Sequence, residues 1–363
     1  MNDINELKQY VIAHARSQHM PPDHVQSLLG RIHDDGDGDG SWVQEWVQAA
    51  ERSEFQGELM EACQLYNMAR FPYVDGPTRQ DAHERCVAMF DQWRTSVPGV
   101  EPLEVTLPEG KVRAWTSGLS TTVRLPLLVV CGGIVSVKEQ WAGVLAQLPA
   151  FGMAGVVVEM PGVGENTLRY DRSSHRMLST ILDAVAGRAD TEHTYALALS
   201  FSGHLALRAA LEDSRIKAVV GAGTPVHDFF TDARWQRTVP KVTVDTLAHL
   251  TGTKPDEVFG HIGGWALTDR ELAALDIPVS CVASRLDEII PRSDVLRLKR
   301  HVRRIRVVEH EDVHGSPRHF AETQLWMLLA LLRARGVVNR QRLGLSWALA
   351  GQRLRRRLGR AAP

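Results

Sequence analysis

The stretch Tyr195-Ala196-Leu197-Ala198-Leu199-Ser200-Phe201-Ser202-Gly203-His204 decides the fold. An apolar run of strand length stops abruptly at a serine, and a helical pattern starts at once. A strand–serine–helix turn this sharp crowds the backbone around it, so only small side chains fit two residues before and two after the serine. Ala198 and Ser202 meet that requirement, although neither is glycine. The strained turn pushes the hydroxyl into the open at a helix N-terminus, where developing negative charge is favoured. Ser200 is therefore a candidate nucleophile. The competing reading is a serine that merely caps the helix behind it.

Working outward, the texture from about residue 98 is one of strands and helices in turn. Segments 104–107 and 111–115 read as a hairpin around Pro108-Glu109-Gly110. Strands follow at 126–131, 155–159, 194–199, 218–221, 279–284 and 304–309, with helices near 139–148, 174–186, 203–211, 293–298 and 320–334. Strands that are apolar throughout and alternate with helices indicate a mostly parallel sheet covered on both faces. The polar helical stretch 227–275 interrupts that rhythm as an insertion or lid.

A serine hydroxyl needs a base and an orienting acid. Asp287 follows one strand in Ser284-Arg285-Leu286-Asp287-Glu288, and His314 follows the next in Glu311-Asp312-Val313-His314-Gly315. The order Ser, Asp, His, each just past a strand end, is that of the α/β-hydrolase fold. Oxyanion donors are expected from Cys131-Gly132-Gly133-Ile134, because glycines let backbone N–H groups approach a substrate oxygen. The candidates are the amides of Ile134 and Phe201, with Gly133 giving access; a glycine turn needed only for packing is the alternative. Pro161-Gly162-Val163-Gly164 reads as a further loop of the same rim. Asp228, Trp235 and Trp265 in the insertion are candidates to line the pocket, or else to cover core. His204, one turn into the helix, reads as packing against the sheet.

Three stretches together resemble the FrsA-like (fermentation-respiration switch protein) esterase branch of the α/β-hydrolases: Cys131-Gly132-Gly133 followed by Lys138-Glu139, then Glu159-Met160-Pro161-Gly162-Val163-Gly164, then Leu199-Ser200-Phe201-Ser202-Gly203. That branch includes 2,6-dihydroxypseudooxynicotine hydrolase and fungal polyketide-shortening hydrolases. The resemblance spans roughly residues 60–335. It implies a Ser200–Asp287–His314 triad roofed by an N-terminal helical region, acting on an ester or a ketone-adjacent C–C bond of a small, polyketide-like metabolite. Similar proteins of tetronate pathways are associated with eliminating acetate from an acetylated intermediate, so a lyase on this scaffold is the alternative. A non-catalytic binding or regulatory protein is the alternative of another class.

Residues 1–98 read as helical, with Ile4, Leu7, Tyr10 and Val11 at helical spacing, then Leu59, Cys63, Tyr66 and Met68, and a further helix at 78–93. Ser41 with Gln44 predicts a capping box opening a helix that carries Trp42 and Trp46. The expected organisation is a helical cap over 1–98, a hydrolase domain over 99–335 with its insertion, and a basic tail over 336–363. That tail holds seven arginines and no acid between Arg340 and Arg360, which suits an anionic partner or, more simply, a solvated end.

Two motifs promise more than their context supports. His310-Glu311-Asp312-Val313-His314 matches a zinc pattern that works only on a helix, whereas here it follows a strand and precedes Gly315 and Pro317. The acidic glycine run 35–40 resembles a calcium loop, but position twelve is Trp46 and the loop would lack its bidentate carboxylate. No metal and no cofactor are expected. The 363 residues carry 42 basic and 43 acidic side chains, a formal net charge of -1, which gives no reason to expect a nucleic-acid partner. The longest apolar runs are about half a bilayer span. The N-terminus lacks a basic and an apolar signal region, and the four cysteines form no close sequence pair. The expectation is a cytoplasmic enzyme with a small-molecule substrate and reduced thiols, with a homodimer left open.

Overall fold

The computed structural model describes residues 2–36 and 38–360, the last four of these as backbone. Eight strands form one sheet: β1 (Val100–Leu107), β2 (Gly110–Ser117), β3 (Pro126–Cys131), β4 (Ala154–Val158), β5 (Asp190–Leu199), β6 (Ile216–Ala222), β7 (Val279–Ser284) and β8 (Ile305–His310). Their order is β1-β2-β4-β3-β5-β6-β7-β8. The β1–β2 and β2–β4 pairs are antiparallel, and every pair from β4 through β8 is parallel. The hairpin is tight, with Leu107 opposite Gly110. Strands β3, β4, β6 and β7 are buried almost without interruption, as expected for a sheet packed by helices on both faces.

The order places β3 and β5 side by side while their successors, β4 and β6, lie on opposite sides. The chain leaves β3 in one direction and β5 in the other, so the loops after these strands diverge and open a crevice at the C-terminal edge of the sheet. Cys131 pairs with Ala198 across this switch point, which sets the glycine loop beside the Ser200 turn.

Five helices precede the sheet: α1 (Ile4–Ser17), α2 (Pro22–Arg31), α3 (Trp42–Phe55), α4 (Leu59–Arg70) and α5 (Pro77–Arg94). The sequence pattern marks four of them and passes over α2. Trp42 and Trp46 are fully buried, as the helical spacing implies. The Ser41 capping box does not form: Ser41 makes no side-chain cap bond, and its buried hydroxyl has no partner. The Trp42 N–H instead donates to the Asp34 carbonyl at 2.9 Å, so part of the helix start is satisfied by backbone from the acidic turn. In that turn Asp35 is consumed by a buried ion pair with Arg79 at 2.5 Å, while Asp37 lies outside the described residues. The helix expected over 139–148 is shorter than its pattern suggests, Glu139–Ala142, and continues as a 3₁₀ segment, Gly143–Phe151, that contains Pro149.

Between β6 and β7 the chain forms several short helices around a longer one, Lys241–Thr251. The buried Asp294 carboxylate accepts from the Val226, His227 and Asp228 amides at 2.9, 3.0 and 2.6 Å and so pins the start of this insertion to the helix Arg292–His301. The cap sits on the insertion from the other side. Glu6 of α1 accepts from the Lys241 and Val242 amides at 3.1 and 2.6 Å, at the N-terminus of the insertion's longest helix. The basic segment is a helix, Arg340–Arg360, that packs on Phe320–Ala334 through buried Leu349 and an Arg353–Glu322 pair at 2.7 Å. No helix among the described residues is long and apolar enough to cross a membrane. All four cysteines are buried and free, with Cys63 and Cys86 facing each other across α4 and α5 at 3.7 Å.

Candidate active site

Ser200 lies between β5 and the helix Phe201–Glu212 with φ 57° and ψ -125°. It is one of three non-glycine residues with positive φ among the described residues. A conformation so unfavourable for a side-chain-bearing residue persists only where its surroundings impose it. Here the Ser200 amide donates to the Ala222 carbonyl at 2.7 Å, and the Gly203 amide donates to the Ser200 carbonyl at 2.9 Å. The serine at the second flanking position does more than stay small. The Ser202 hydroxyl lies 2.8 Å from the Cys131 carbonyl and 2.9 Å from the Leu199 carbonyl, tying the turn to the end of β3. Gly203 has no such freedom, because a Cβ there would come 2.2 Å from Thr224 Oγ1.

The three residues selected from sequence meet in space. His314 Nε2 is 3.0 Å from Ser200 Oγ, and His314 Nδ1 is 3.0 Å from both carboxylate oxygens of Asp287. Asp287 Oδ1 also accepts from the Ile289 and Ile290 amides at 3.0 and 2.8 Å, which fixes the acid in its loop. Glu288 accepts from the His314 backbone amide at 3.0 Å. Burial pulls the His314 imidazole toward the neutral form, but the Asp287 charge and hydrogen bond, with Glu288 behind them, outweigh it and leave the ring more basic than an ordinary histidine. Gly223, with φ +60°, is what lets the ring lie where it does: a Cβ there would come 2.6 Å from His314 Cε1.

Gly133 stands against the serine. A Cβ on it would be 3.2 Å from Ser200 Cβ and 3.8 Å from Oγ. The amides of Ile134 and Phe201 make no hydrogen bond among the described residues, so two donors beside the hydroxyl are unspent. The arrangement can transfer a proton from Ser200 to His314 and offer two N–H groups to a developing oxyanion.

The insertion residues take other places. Asp228 pairs with Arg297 at 3.2 Å, so its charge is already matched. Trp235 donates from Nε1 to the Ile289 carbonyl at 2.8 Å, bracing the Asp287 loop. Trp265 is core: its ring packs edge-on against Tyr170, and its carbonyl lies 2.9 Å from His204 Nε2 and accepts from Arg208 at 2.6 Å. His204 is accordingly a buried structural histidine, driven down to about 3 by burial and then by Arg208. His310 ends β8 and stacks on His319 at 4.2 Å, and Asp312 accepts from His319 at 2.9 Å and from Arg318 at 3.0 Å. The His-Glu-x-x-His pattern is thus split between a strand and a turn. Among the described residues no group of three or more His, Cys, Asp or Glu side chains could hold a metal ion.

The resemblance implies a helical roof, but sequence reasoning assigned none of the cap residues to this edge. Tyr10 of α1 lies near Glu288, beside Asp287, and burial and then that carboxylate raise its phenol well above the usual range. Arg70, at the end of α4, donates to the Val135 carbonyl of the glycine loop at 2.7 Å. The available signal was the row Glu6, Tyr10, His14 at i, i+4 and i+8, a polar stripe on a helix whose other side is buried.

The FrsA-like esterase family model matches residues 25–263. Esterase FrsA of Citrobacter koseri is 27% identical over 234 residues, covering 59% of this chain and 56% of that protein, so the chain spans little more than half the length of that relative. Esterase FrsA of Vibrio vulnificus (strain YJ016) is 24% identical over 280 residues, covering 70% and 67%. Among solved structures, AbyA5 is 55% identical with a TM-score of 0.94, covering 96% of this chain and 99% of that one. The 2,6-dihydroxy-pseudo-oxynicotine hydrolase shares the fold at 18% identity and a TM-score of 0.68, covering 88% and 96%. The chain belongs to the FrsA-like esterase family of α/β-hydrolases.

Proposed function

We propose that this enzyme cleaves an ester, or a C–C bond next to a ketone, in a small polyketide-like metabolite by way of Ser200, His314 and Asp287. The observation that carries the reading is the continuous line from Ser200 Oγ through the imidazole to the Asp287 carboxylate, with both steps at 3.0 Å and the serine held at positive φ. In the ester case His314 Nε2 takes the hydroxyl proton as Oγ attacks the acyl carbon. The amides of Ile134 and Phe201 hold the oxyanion, and the imidazolium returns the proton to the departing alkoxide. Water, deprotonated by the same ring, then releases the acid from Ser200. Asp287 keeps Nδ1 protonated and stabilises the imidazolium.

The second reading is elimination of acetate from an acetylated, tetronate-like intermediate. The site's enclosure favours it: the cap meets the insertion through Glu6, and the His314 side chain is only 17% exposed. A base removes the proton next to a carbonyl, the electron pair forms the alkene, and acetate leaves with its C–O bonding pair.

Intact mass after exposure to a fluorophosphonate, in wild type and Ser200→Ala, tests the proposal. An adduct on wild type alone, with aryl release from aryl acetates, supports acyl transfer through Ser200. A folded protein that gains no adduct and releases no aryl group abandons the serine mechanism and leaves elimination or a binding role.

A further inference from the structure

Helix α1 lays one polar stripe along the C-terminal edge of the sheet. Glu6 caps the insertion's long helix through the Lys241 and Val242 amides, and Tyr10, one turn on, lies near Glu288 beside the triad acid. His14, a further turn on, reaches Gln140, in the helix that follows the glycine loop. The stripe therefore runs from the insertion, past the acid loop, to the helix behind the glycine loop, and His14 occupies its last step.

The hydrogen bonds around His14 occupy one ring nitrogen and leave the other free. The Ser17 hydroxyl donates to the His14 carbonyl at 2.7 Å, so its oxygen accepts from Gln140 Nε2, also at 2.7 Å. The same Gln140 amide engages His14 Nδ1, with its nitrogen at 3.2 Å and its oxygen at 3.4 Å. Nε2 has no partner among the described residues, and the ring is only half-buried, packed against Phe71 at 5.2 Å. Burial, then the Arg70 charge, hold the imidazole neutral by driving it down to about 4, and the charge on His314 is felt there as well. A neutral ring, with its proton on Nε2, is the useful form here. A cation here would oppose protonation of His314, which both proposed reactions require.

We propose that His14 is a substrate-binding residue, donating from Nε2 to a carbonyl or enolate oxygen of the ligand held over Ser200. The inference rests on the acyl- or acetate-cleaving reading above and narrows its substrate to a molecule with such an oxygen close to the bond that breaks. Arg70, whose Nη1 and Nη2 donate to the Pro72 and Val135 carbonyls and to Asn67, is a positioning residue: it secures the glycine loop and adds to burial in keeping His14 uncharged.

The test compares two ring probes in the Ser200→Ala background, so that binding is read without turnover. Tetronic acid carries a ring carbonyl and an enolate oxygen, and tetrahydrofuran has the same ring with neither. Dissociation constants are measured by ligand-observed NMR for His14 intact, His14→Phe and His14→Gln. The expected result is about a tenfold loss of tetronic acid affinity in His14→Phe, the size of one lost hydrogen bond, with tetrahydrofuran changed less than twofold. The Gln amide should recover most of the loss. Parallel losses for both rings, no loss for either, or no selectivity for tetronic acid with His14 intact would overturn the assignment. Because this experiment needs no serine chemistry, it can fail while fluorophosphonate labelling succeeds, and the reverse.

Discussion

Behind the loop after β3, Lys138 Nζ lies 2.7 Å from Glu139, 2.7 Å from Glu165 and 3.8 Å from Glu159. At the ends of β7 and β8, His314 lies 3.0 Å from Asp287 and 3.0 Å from Ser200. Both clusters set a proton-bearing group among carboxylates at the same edge of one sheet. The first is closed. Glu159 accepts from the Lys138 and Glu165 amides at 3.0 Å each, Trp115 donates to Glu139 at 2.8 Å, and the Lys138 side chain is 1% exposed. The second is open at one end, where a single proton shared between Ser200 and His314 faces two unspent amides. Burial opposes the Lys138 charge, yet the three carboxylates hold the ammonium protonated well above its usual range. It can brace loops but cannot exchange a proton near neutrality. The difference lies less in residue type than in access: in the first cluster even the unpartnered Glu139 Oε2 is sealed in the core, whereas the second ends beside the glycine loop.

Substitutions in the two clusters should therefore act on different observables. Ser200→Ala and His314→Gln are expected to lower aryl acetate turnover by about 10³-fold or more, with the urea midpoint nearly unchanged. A large loss of stability in either variant would mean that the open cluster is also scaffold. Lys138→Met should do the opposite. It leaves buried carboxylates without their counter-charge, at about 3–5 kcal/mol in urea unfolding. Unfolding at wild-type denaturant concentration would show that the acids take up protons and that the cluster is not held by charge. Between these extremes lies Gly223→Ala, where the added Cβ would meet His314 Cε1 at 2.6 Å in a left-handed backbone position. Moving the ring by about 1 Å should cost roughly 10²-fold in kcat, with a smaller change in KM.

How much of this could be read from the chain alone follows the range of the signals. The Ser200 turn, the alternating strands and the order of Asp287 and His314 are local or sequential patterns, and the Val279–Ser284 strand and the Phe320–Ala334 helix match their expected bounds. Asp228 and Trp265 look the same in sequence as pocket residues would, and only their partners Arg297, His204 and Arg208 show them to be paired or packed. The Ser41 cap fails for a similar reason, since Asp34 supplies the acceptor from across a turn that no spacing rule records. Helix α2 opens with Pro22 after Pro21 and lies between stretches with clearer periodicity, which hides it. The face that α1 turns toward the triad depends on how the N-terminal helices dock on the sheet domain, and chain order says nothing about that.

The smallest expected effect bears most directly on how the open cluster is tuned. His314 must be neutral to act as a base, so kcat/KM should fall on the acid side with a midpoint above that of an ordinary histidine. Burial lowers that midpoint, and the Asp287 charge and hydrogen bond and then the Glu288 charge raise it further than burial lowers it. Glu288→Gln keeps an acceptor for the His314 amide while removing the negative charge. Its acid limb should move to lower pH, by a few tenths of a unit to about one unit, with the plateau at high pH little changed. Near the wild-type midpoint the variant would then be the faster enzyme, an inversion that simple loss of structure cannot produce. Stability carries the same sign. A histidine more basic when folded contributes fully below its unfolded pKa, and that contribution fades as pH rises through the folded value. The variant should lose stability below that window and match wild type above it, as read by thermal unfolding from pH 5.5 to 8.5. A limb that stays in place would assign the raised basicity to Asp287 alone and leave Glu288 the same closed, bracing role that the carboxylates have around Lys138.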